Sequence, residues 1–311
     1  MYDIIVVGGG PAGMTAALYA LRNGKSALVI EKTGFGGQIT HSPKVENYPG
    51  TMQMSGNEFA DHMLEQILAQ GAEIEFEKVI SVENRGNLKA VATEEGGLYE
   101  ARAVVLATGV KHRMLGLEGE NELVGEGISF CAVCDGDFYA GKTVCVVGGG
   151  NSALQEALLL SGKCREVIIL QDLPKCTGEQ KLQEILFARP NVRLITRTEV
   201  TRLLTNAEGL TGVEIESRDT GEKQTVACDG LFVAIGLIPE NEPFAKLVDV
   251  DSFGYFDASE RCLTRTPGLY VAGDCRAKGV RQLTTAVADG ATAALAACRY
   301  IDEISHDPTI H

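Results

Sequence analysis

The residues best placed to do chemistry are Cys131, Cys134 and Asp135, in the run Cys131-Ala132-Val133-Cys134-Asp135-Gly136. Two cysteines separated by two residues can close a small-ring disulfide that opens and closes in use, and a carboxylate follows at once to handle protons. Zinc is the competing chemistry, but a structural zinc site needs four Cys or His ligands, often from a second paired motif. No second CxxC exists, and the nearest histidine, His112, stands alone, so no metal site is expected.

Three glycine-rich stretches surround that pair. Gly8-Gly9-Gly10-Pro11-Ala12-Gly13 follows a short apolar β-branched run, Tyr2 to Val7, and precedes a helical pattern, Met14 to Arg22, closed by Asn23-Gly24. Strand, glycine turn and helix present backbone N–H groups to a pyrophosphate. Glu31 ends the next apolar run at the distance where a carboxylate accepts from a ribose hydroxyl. Gly36-Gly37-Gln38 and Val45 to Gly50, with Asn47, form a loop-rich stretch able to grip a flavin or pyrophosphate.

The pattern restarts after the cysteine pair. Lys142 to Val147 reads as a strand, Gly148-Gly149-Gly150-Asn151-Ser152-Ala153 as the turn, Ser152 to Leu160 as a helix and Glu166 to Leu170 as a strand. The chain therefore repeats one βαβ nucleotide unit about 140 residues on. Asp172, by spacing from Gly148, either mimics Glu31 or is an exposed turn residue.

The remaining elements must position these turns. Phe59 to Gln70 reads as an amphipathic helix, followed by short β runs and then by a buried strand, Ala103 to Ala107, ending in Thr108-Gly109. Leu231 to Gly236 and Gly268 to Asp274 read as strands entering small-residue turns. Arg281 to Tyr300 is an Ala-rich helix, and the polar stretch His306 to His311 is expected to fray.

With 311 residues the chain has room for two domains, each with its own core. A net charge of -14 disfavours nucleic acid and anionic membranes as partners. The other seven cysteines are dispersed and read as small buried apolar residues in a reducing compartment. No basic leader or apolar run of membrane-spanning length is evident, so the expected location is cytoplasmic.

Taken together, GGGPAG with Glu31, GGQ at 36–38, VENYPG at 45–50, ATG at 107–109, CAVCDG at 131–136, GGGNSA at 148–153, AIGLIPEN at 234–241 and AGD at 272–274 resemble the low-molecular-weight thioredoxin reductases along almost the whole chain. The resemblance implies an α/β fold of two Rossmann-like three-layer ββα dinucleotide-binding domains, the second inserted in the first. An FAD-binding domain would comprise residues 1–112 and 240–311, and residues 113–239 would form the CxxC-bearing, NAD(P)H-binding-like domain. It implies a homodimer acting on thioredoxin or a thioredoxin-like protein. Gly8, Gly10, Pro11, Ala12, Gly13 and Glu31 would hold the adenosine and pyrophosphate of FAD. Gly37, Gln38, Asn47, Thr108, Gly109, Asp274, Gln282 and Leu283 would line the remainder. Cys134 would face the flavin, Cys131 would attack the substrate disulfide, and Asp135 would be the acid/base.

One departure bears on the electron donor. Family members that use NADPH carry a run of basic residues after the strand of the inserted domain, and here Gln171, Asp172, Leu173 and Thr177 take those places. Losing charge-assisted phosphate bonds costs several kcal/mol, at about 3 each. The sequence thus ranks ferredoxin first as donor, NADH second and NADPH last, by similarity to ferredoxin-dependent relatives. A dithiol oxidase running in reverse with oxygen is an alternative, and a non-catalytic FAD-binding regulator is disfavoured by the intact Cys131, Cys134 and Asp135. An acidic ferredoxin would need a local basic patch, for which Lys111, His112 and Arg113, or Lys163 and Arg165, are candidates.

Overall fold

A computed structural model describes residues 1–42, 44–207 and 209–306 of the chain. In chain order the first elements are β1 (Tyr2–Val7), α1 (Pro11–Arg22), β2 (Ala27–Glu31), α2 (Gly56–Ala69) and β3 (Glu73–Phe76). Then come β4 (Val79–Arg85), β5 (Leu88–Thr93), β6 (Leu98–Leu106) and the short β7 (Val110–His112). The middle of the chain supplies β8 (Ile128–Ser129), the one-turn helix α3 (Ala132–Asp135), β9 (Thr143–Val147), α4 (Asn151–Ser161), β10 (Glu166–Leu170) and α5 (Gln180–Phe187). After these follow β11 (Val192–Ile195), β12 (Thr198–Asn206), β13 (Gly209–Ser217), β14 (Lys223–Ala227) and β15 (Gly230–Val233). The chain closes with β16 (Leu237–Pro239), β17 (Leu269–Val271) and α6 (Leu283–His306). Of the polar stretch at the end, His306 is the last residue of α6 and the rest lies outside the described residues.

The chain divides into two compact units, 1–111 with 238–311, and 112–237. His112 goes with the second unit because its ring stacks on Phe130 at 4.2 Å, whereas Pro239 packs against Gly254 in the first. The sequence-based boundaries at 112/113 and 239/240 shift by those few residues.

In the first unit β3, β2, β1, β6 and β17 form a parallel sheet, and β4 and β5 join β6 as an antiparallel extension. Strand alternation explains its layers. Ile4 and Val6 face a cluster with Met14, Ala16 and the alanines of α6, while Ile5 and Val7 face Val82, Val91 and Phe256. Each of these fully buried aliphatic side chains contributes about 2 kcal/mol of transfer free energy. The second unit repeats the arrangement. Val144 and Val146 pack on Leu154, Ala157 and Leu160 of α4, and Cys145 and Val147 pack on Val200, Val213 and Ile215 of the β12–β14 meander. Both units are thus helix, parallel sheet and antiparallel meander, the two Rossmann-like ββα layers expected.

Local chemistry sets the ends of the elements. Helix α1 begins at Pro11 rather than Met14, because Gly10 is the N-cap and proline at the first helical position lacks only an N–H that would be orphaned anyway. Ser55 and Glu58 form a reciprocal capping box that starts α2 at Gly56, before the apolar pattern begins. Strand β6 starts at Leu98 because its first half pairs antiparallel with β5. The small face of α6 packs on α1, where a Cβ at Gly290 would overlap the carbonyl oxygen of Ala12.

Lys89 lies at 0 % exposure on β5, bonded by its Nζ to the Gly86 carbonyl at 2.7 Å and set over the Tyr300 ring. Among the described residues it makes no salt bridge, and burial lowers its pKa. A base whose folded pKa is depressed binds fewer protons folded than unfolded, so its cost to stability shrinks as pH rises from the lowered value toward 10.5. Replacing Lys89→Met should stabilise the protein by about 1 kcal/mol at pH 7 and by less at pH 10, measured by urea unfolding at both pH values.

Candidate functional site

The first glycine turn is shaped by close backbone approach. Gly8 has φ +111°, and a Cβ there would overlap the Ala107 carbonyl, while a Cβ at Gly13 would overlap the carbonyl of Gly8. Gly10 caps α1 and a Cβ there would meet nothing nearer than the Gly36 oxygen at 4.0 Å, which leaves the helix N-terminus open to an anion. Pro11 and Ala12 begin the helix. Glu31 is 8 % exposed; its Oε2 accepts from the Gly9 N–H at 2.6 Å and its Oε1 from the Thr33 N–H at 2.9 Å.

The other residues expected around FAD lie in the same unit. Gly37 has φ +58° and sits beside Gly10, the Gln38 amide donates to the Val110 carbonyl at 3.1 Å, and Asn47 donates to Gln282 at 3.3 Å. Thr108 donates to Asn241 at 3.0 Å, and Gly109, at φ +65°, has open space where a side chain would project. Leu283 is the first residue of α6. Asp274 is the informative case: its Oδ1 is buried with no hydrogen bond, although Lys278 lies 3.2 Å away, and burial pushes its pKa up. An orphaned buried carboxylate oxygen beside an open helix N-terminus fits a ligand rich in hydroxyl donors and phosphates, as FAD is.

Sequence reasoning missed what holds that turn. Asp289 of α6 accepts from the Gly273 N–H at 3.1 Å, from Arg276 at 3.1 Å and from Lys278 at 3.1 Å. Arg276 is 3 % exposed, so this is a buried charge network with every member paired. An aspartate in an alanine-rich helix gives no motif from which to foresee it.

In the second unit Cys131 and Cys134 are joined as a disulfide, with Cα atoms 5.3 Å apart. Cys131 is the N-cap of α3 and precedes the Ala132–Asp135 turn, whose Asp135 N–H donates back to the Cys131 carbonyl at 3.0 Å. Asp135 Oδ2 accepts from the Ser129 hydroxyl at 2.6 Å, and that hydroxyl accepts from the Cys131 N–H at 3.1 Å. Asp135 Oδ1 is buried without a hydrogen bond, and burial raises the carboxyl pKa, partly opposed by the Ser129 bond. Glu156 of α4, which no sequence motif marks, accepts from the Ala132 N–H. Cys145, which has no partner visible in the sequence, shares a core cluster with Cys228, and the interaction with Cys228 together with burial pushes its thiol pKa far up. Cys275 donates to the Ala272 carbonyl at 3.2 Å in the first unit.

The second glycine turn repeats the strand register of the first. Val147 aligns with Leu170 as Val7 does with Ile30, and the Gly148 N–H donates to the Leu170 carbonyl at 2.9 Å as the Gly8 N–H does to that of Ile30. That register corrects the reading of Asp172: the counterpart of Glu31 is Gln171, whose amide sits against Gly149, and Asp172 falls one residue beyond. Asp172 is ion-paired with Arg218 at 3.2 Å, and Arg218 also holds Glu199 at 3.2 Å. Arg197, with φ +53°, donates its N–H to the Leu173 carbonyl at 3.2 Å. The 171–177 loop has no arginine, yet Arg218, just after β13, pairs with Asp172, while Arg197, just before β12, meets the loop through its backbone N–H and pairs its side chain with Asp219 at 3.0 Å.

Of the cations nominated for docking an acidic partner, Lys111 is held by Glu240 at 2.9 Å and Lys163 by Asp137 at 2.6 Å. His112 is stacked on Phe130. Among the described residues no helix is long and apolar enough to cross a membrane, and no His, Cys, Asp and Glu group is arranged for a metal.

Comparison with known proteins places the chain in a family. The family model for pyridine nucleotide-disulphide oxidoreductases matches residues 2–290. The thioredoxin reductase of Listeria monocytogenes is 38 % identical over 304 residues, covering 98 % of this chain and 95 % of its own length. A 34.2 kDa protein in the rubredoxin operon of Clostridium pasteurianum is 37 % identical over 300 residues, covering 96 % and 97 %. The crystal structure of thioredoxin reductase from Streptococcus pyogenes superposes with a TM-score of 0.92 at 38 % identity, covering 97 % of this chain and 99 % of that one. The chain belongs to the low-molecular-weight thioredoxin reductase family of pyridine nucleotide-disulphide oxidoreductases. It is an oxidoreductase whose cofactor is FAD.

Replacing Ser129→Ala removes the hydroxyl that stabilises the Asp135 carboxylate, so the Asp135 pKa should move further up. The carboxyl would then stay protonated to a higher pH, which infrared titration of the carboxyl band should show as an upward-shifted midpoint.

Proposed function

We propose that this protein is a thioredoxin reductase that takes electrons from a nicotinamide dinucleotide and passes them, through FAD and the Cys131–Cys134 disulfide, to thioredoxin or a thioredoxin-like protein. The observation that carries the reading is the disulfide with Asp135 beside it, in the same unit as an intact second glycine turn. Gly8, Gly10, Pro11, Ala12, Gly13 and Glu31 hold the adenosine and pyrophosphate end of FAD, with Gly37, Gln38, Asn47, Thr108, Gly109, Asp274, Gln282 and Leu283 along the rest. FAD supplies two-electron transfer between the donor and the disulfide. Once the disulfide is open, the Cys131 thiolate attacks the partner's disulfide and forms a mixed disulfide, releasing one partner thiolate. The Cys134 thiolate then displaces the second partner thiolate and restores the Cys131–Cys134 bond. Asp135 holds the proton that one of these thiols gains or loses. The active form is a cytoplasmic homodimer.

The ranking of ferredoxin above nicotinamide nucleotides gives way here. It rested on the absence of arginine from the 171–177 loop, but Arg218 lies beside that loop, paired with Asp172, and the candidate docking cations Lys111 and Lys163 are already paired. The family likeness favours a pyridine nucleotide, and the relatives named thioredoxin reductase favour the reductive direction over a dithiol oxidase. A 2′-phosphate would exchange Asp172 for itself on Arg218, a charge-assisted contact.

Anaerobic stopped-flow reduction of the flavin with NADPH, NADH and reduced ferredoxin, offered separately, tests the donor. Bleaching by a nicotinamide nucleotide is expected, and bleaching by ferredoxin alone would overturn the reading. Asp172→Ala frees Arg218 and removes an anion, so kcat/KM for NADPH relative to NADH should rise about tenfold, equal to about 1.4 kcal/mol. Arg218→Ala should move the ratio the other way.

A further inference from the structure

Glu156 stands where three features of the second unit meet. It lies on α4, the helix whose N-terminus is the second glycine turn, and it accepts the N–H of Ala132 between the two redox cysteines. Its electrostatic neighbour is Asp135, the acid whose Oδ1 is buried without a hydrogen bond. Nearby, Tyr139 feels the Asp135 charge, Lys142 lies 5.6 Å from the Tyr139 ring centre, and Lys163 is taken up by Asp137. No cation in this set pairs with either acid.

We propose that Glu156 is a positioning residue of the redox centre: it ties the cysteine turn to α4 through Ala132 and, half-buried like Asp135 three residues further along that turn, sets a second carboxyl at the same turn so that one proton stays beside the dithiol. The inference rests on the disulfide-reductase reading above. Two neighbouring carboxyls out of water resist both being ionised, because each charge is poorly solvated and repels the other. In agreement, burial and the Asp135 charge raise the Glu156 pKa to about 7, although the Ala132 bond works against them. The redox step balances with this proton. Opening the disulfide takes two electrons from the reduced cofactor and yields two thiolates; one accepts the shared proton and becomes a thiol, leaving both acids ionised. Oxidation of the dithiol by the partner disulfide returns the proton to the pair.

Iodoacetamide alkylation of the reduced protein, followed from pH 5.5 to 9 by mass spectrometry of the Cys131 peptide, tests this without any partner. Glu156→Gln keeps an oxygen to accept the Ala132 N–H but removes the charge. The apparent thiol pKa should then fall by about half a unit, with alkylation about threefold faster on the acid side. Glu156→Ala should give the same shift together with a lower melting temperature, because the tie to Ala132 is lost. A Glu156→Gln profile that superimposes on the parent, or differs by one factor at all pH values, would overturn the proposal. A shifted profile in a protein that fails to reduce thioredoxin would leave this inference standing and sink the functional reading.

Discussion

The interaction on which both units depend is the approach of a glycine to the neighbouring strand's carbonyl. At Gly8 the intruding oxygen is that of Ala107, and at Gly148 it is that of Ala234. Either contact is closed to a side chain. Because the strand can pass so near, the chain turns directly from strand into helix, and the helix begins with its first N–H groups facing outward. The bonds from Gly8 to Ile30 and from Gly148 to Leu170 then fix which residue of the next strand faces the turn. That choice places a carboxylate, Glu31, at one turn and a neutral amide, Gln171, at the other. A ribose hydroxyl is a donor to both, so each turn suits a dinucleotide.

The two units use burial differently. Around Asp274 the charges are paired: Asp289 collects Arg276, Lys278 and a backbone amide, so a buried network remains neutralised and the turn beside it is rigid. Around Cys131 and Cys134 the charges are left alone. Asp135 and Glu156 have hydroxyl and amide donors but no cation, and burial lifts both pKa values. A carboxyl with an opposite charge beside it would ionise at acidic pH and hold no proton near neutrality. With no cation paired to either acid among the described residues, the proposed proton stays beside the disulfide as it opens and closes.

The donor loop shows how surface charge and fold combine. Asp172 taken alone argues for a free ribose hydroxyl, yet the Arg218 side chain pairs with it and the Arg197 backbone N–H braces the same loop. These pairs are exposed and individually worth under about 1 kcal/mol, so an incoming phosphate can reorganise them cheaply. Discrimination between donors is therefore a matter of small differences at this loop and not of the fold.

The sequence by itself determined the repeated strand-turn-helix units and the redox pair, because these are set by local rules, and the ββα layers followed from the family resemblance. A glycine at a forced φ, a two-residue gap between cysteines and the alternation in Ile4 to Val7 act within a few residues of one another. It also marked Asp135 and Asp274, which sit within such motifs. Only the tertiary structure decided the rest. Glu156 reaches Ala132 from 24 residues away, and Arg218 reaches Asp172 from a different strand. Asp289 acts from within a helix, whereas Gln171, 23 residues after Gly148 as Glu31 is after Gly8, has its place as the counterpart of Glu31 both in that count and in the hydrogen-bond register. Electrostatic neighbours and burial arise when distant segments pack together, and no spacing along the chain encodes them.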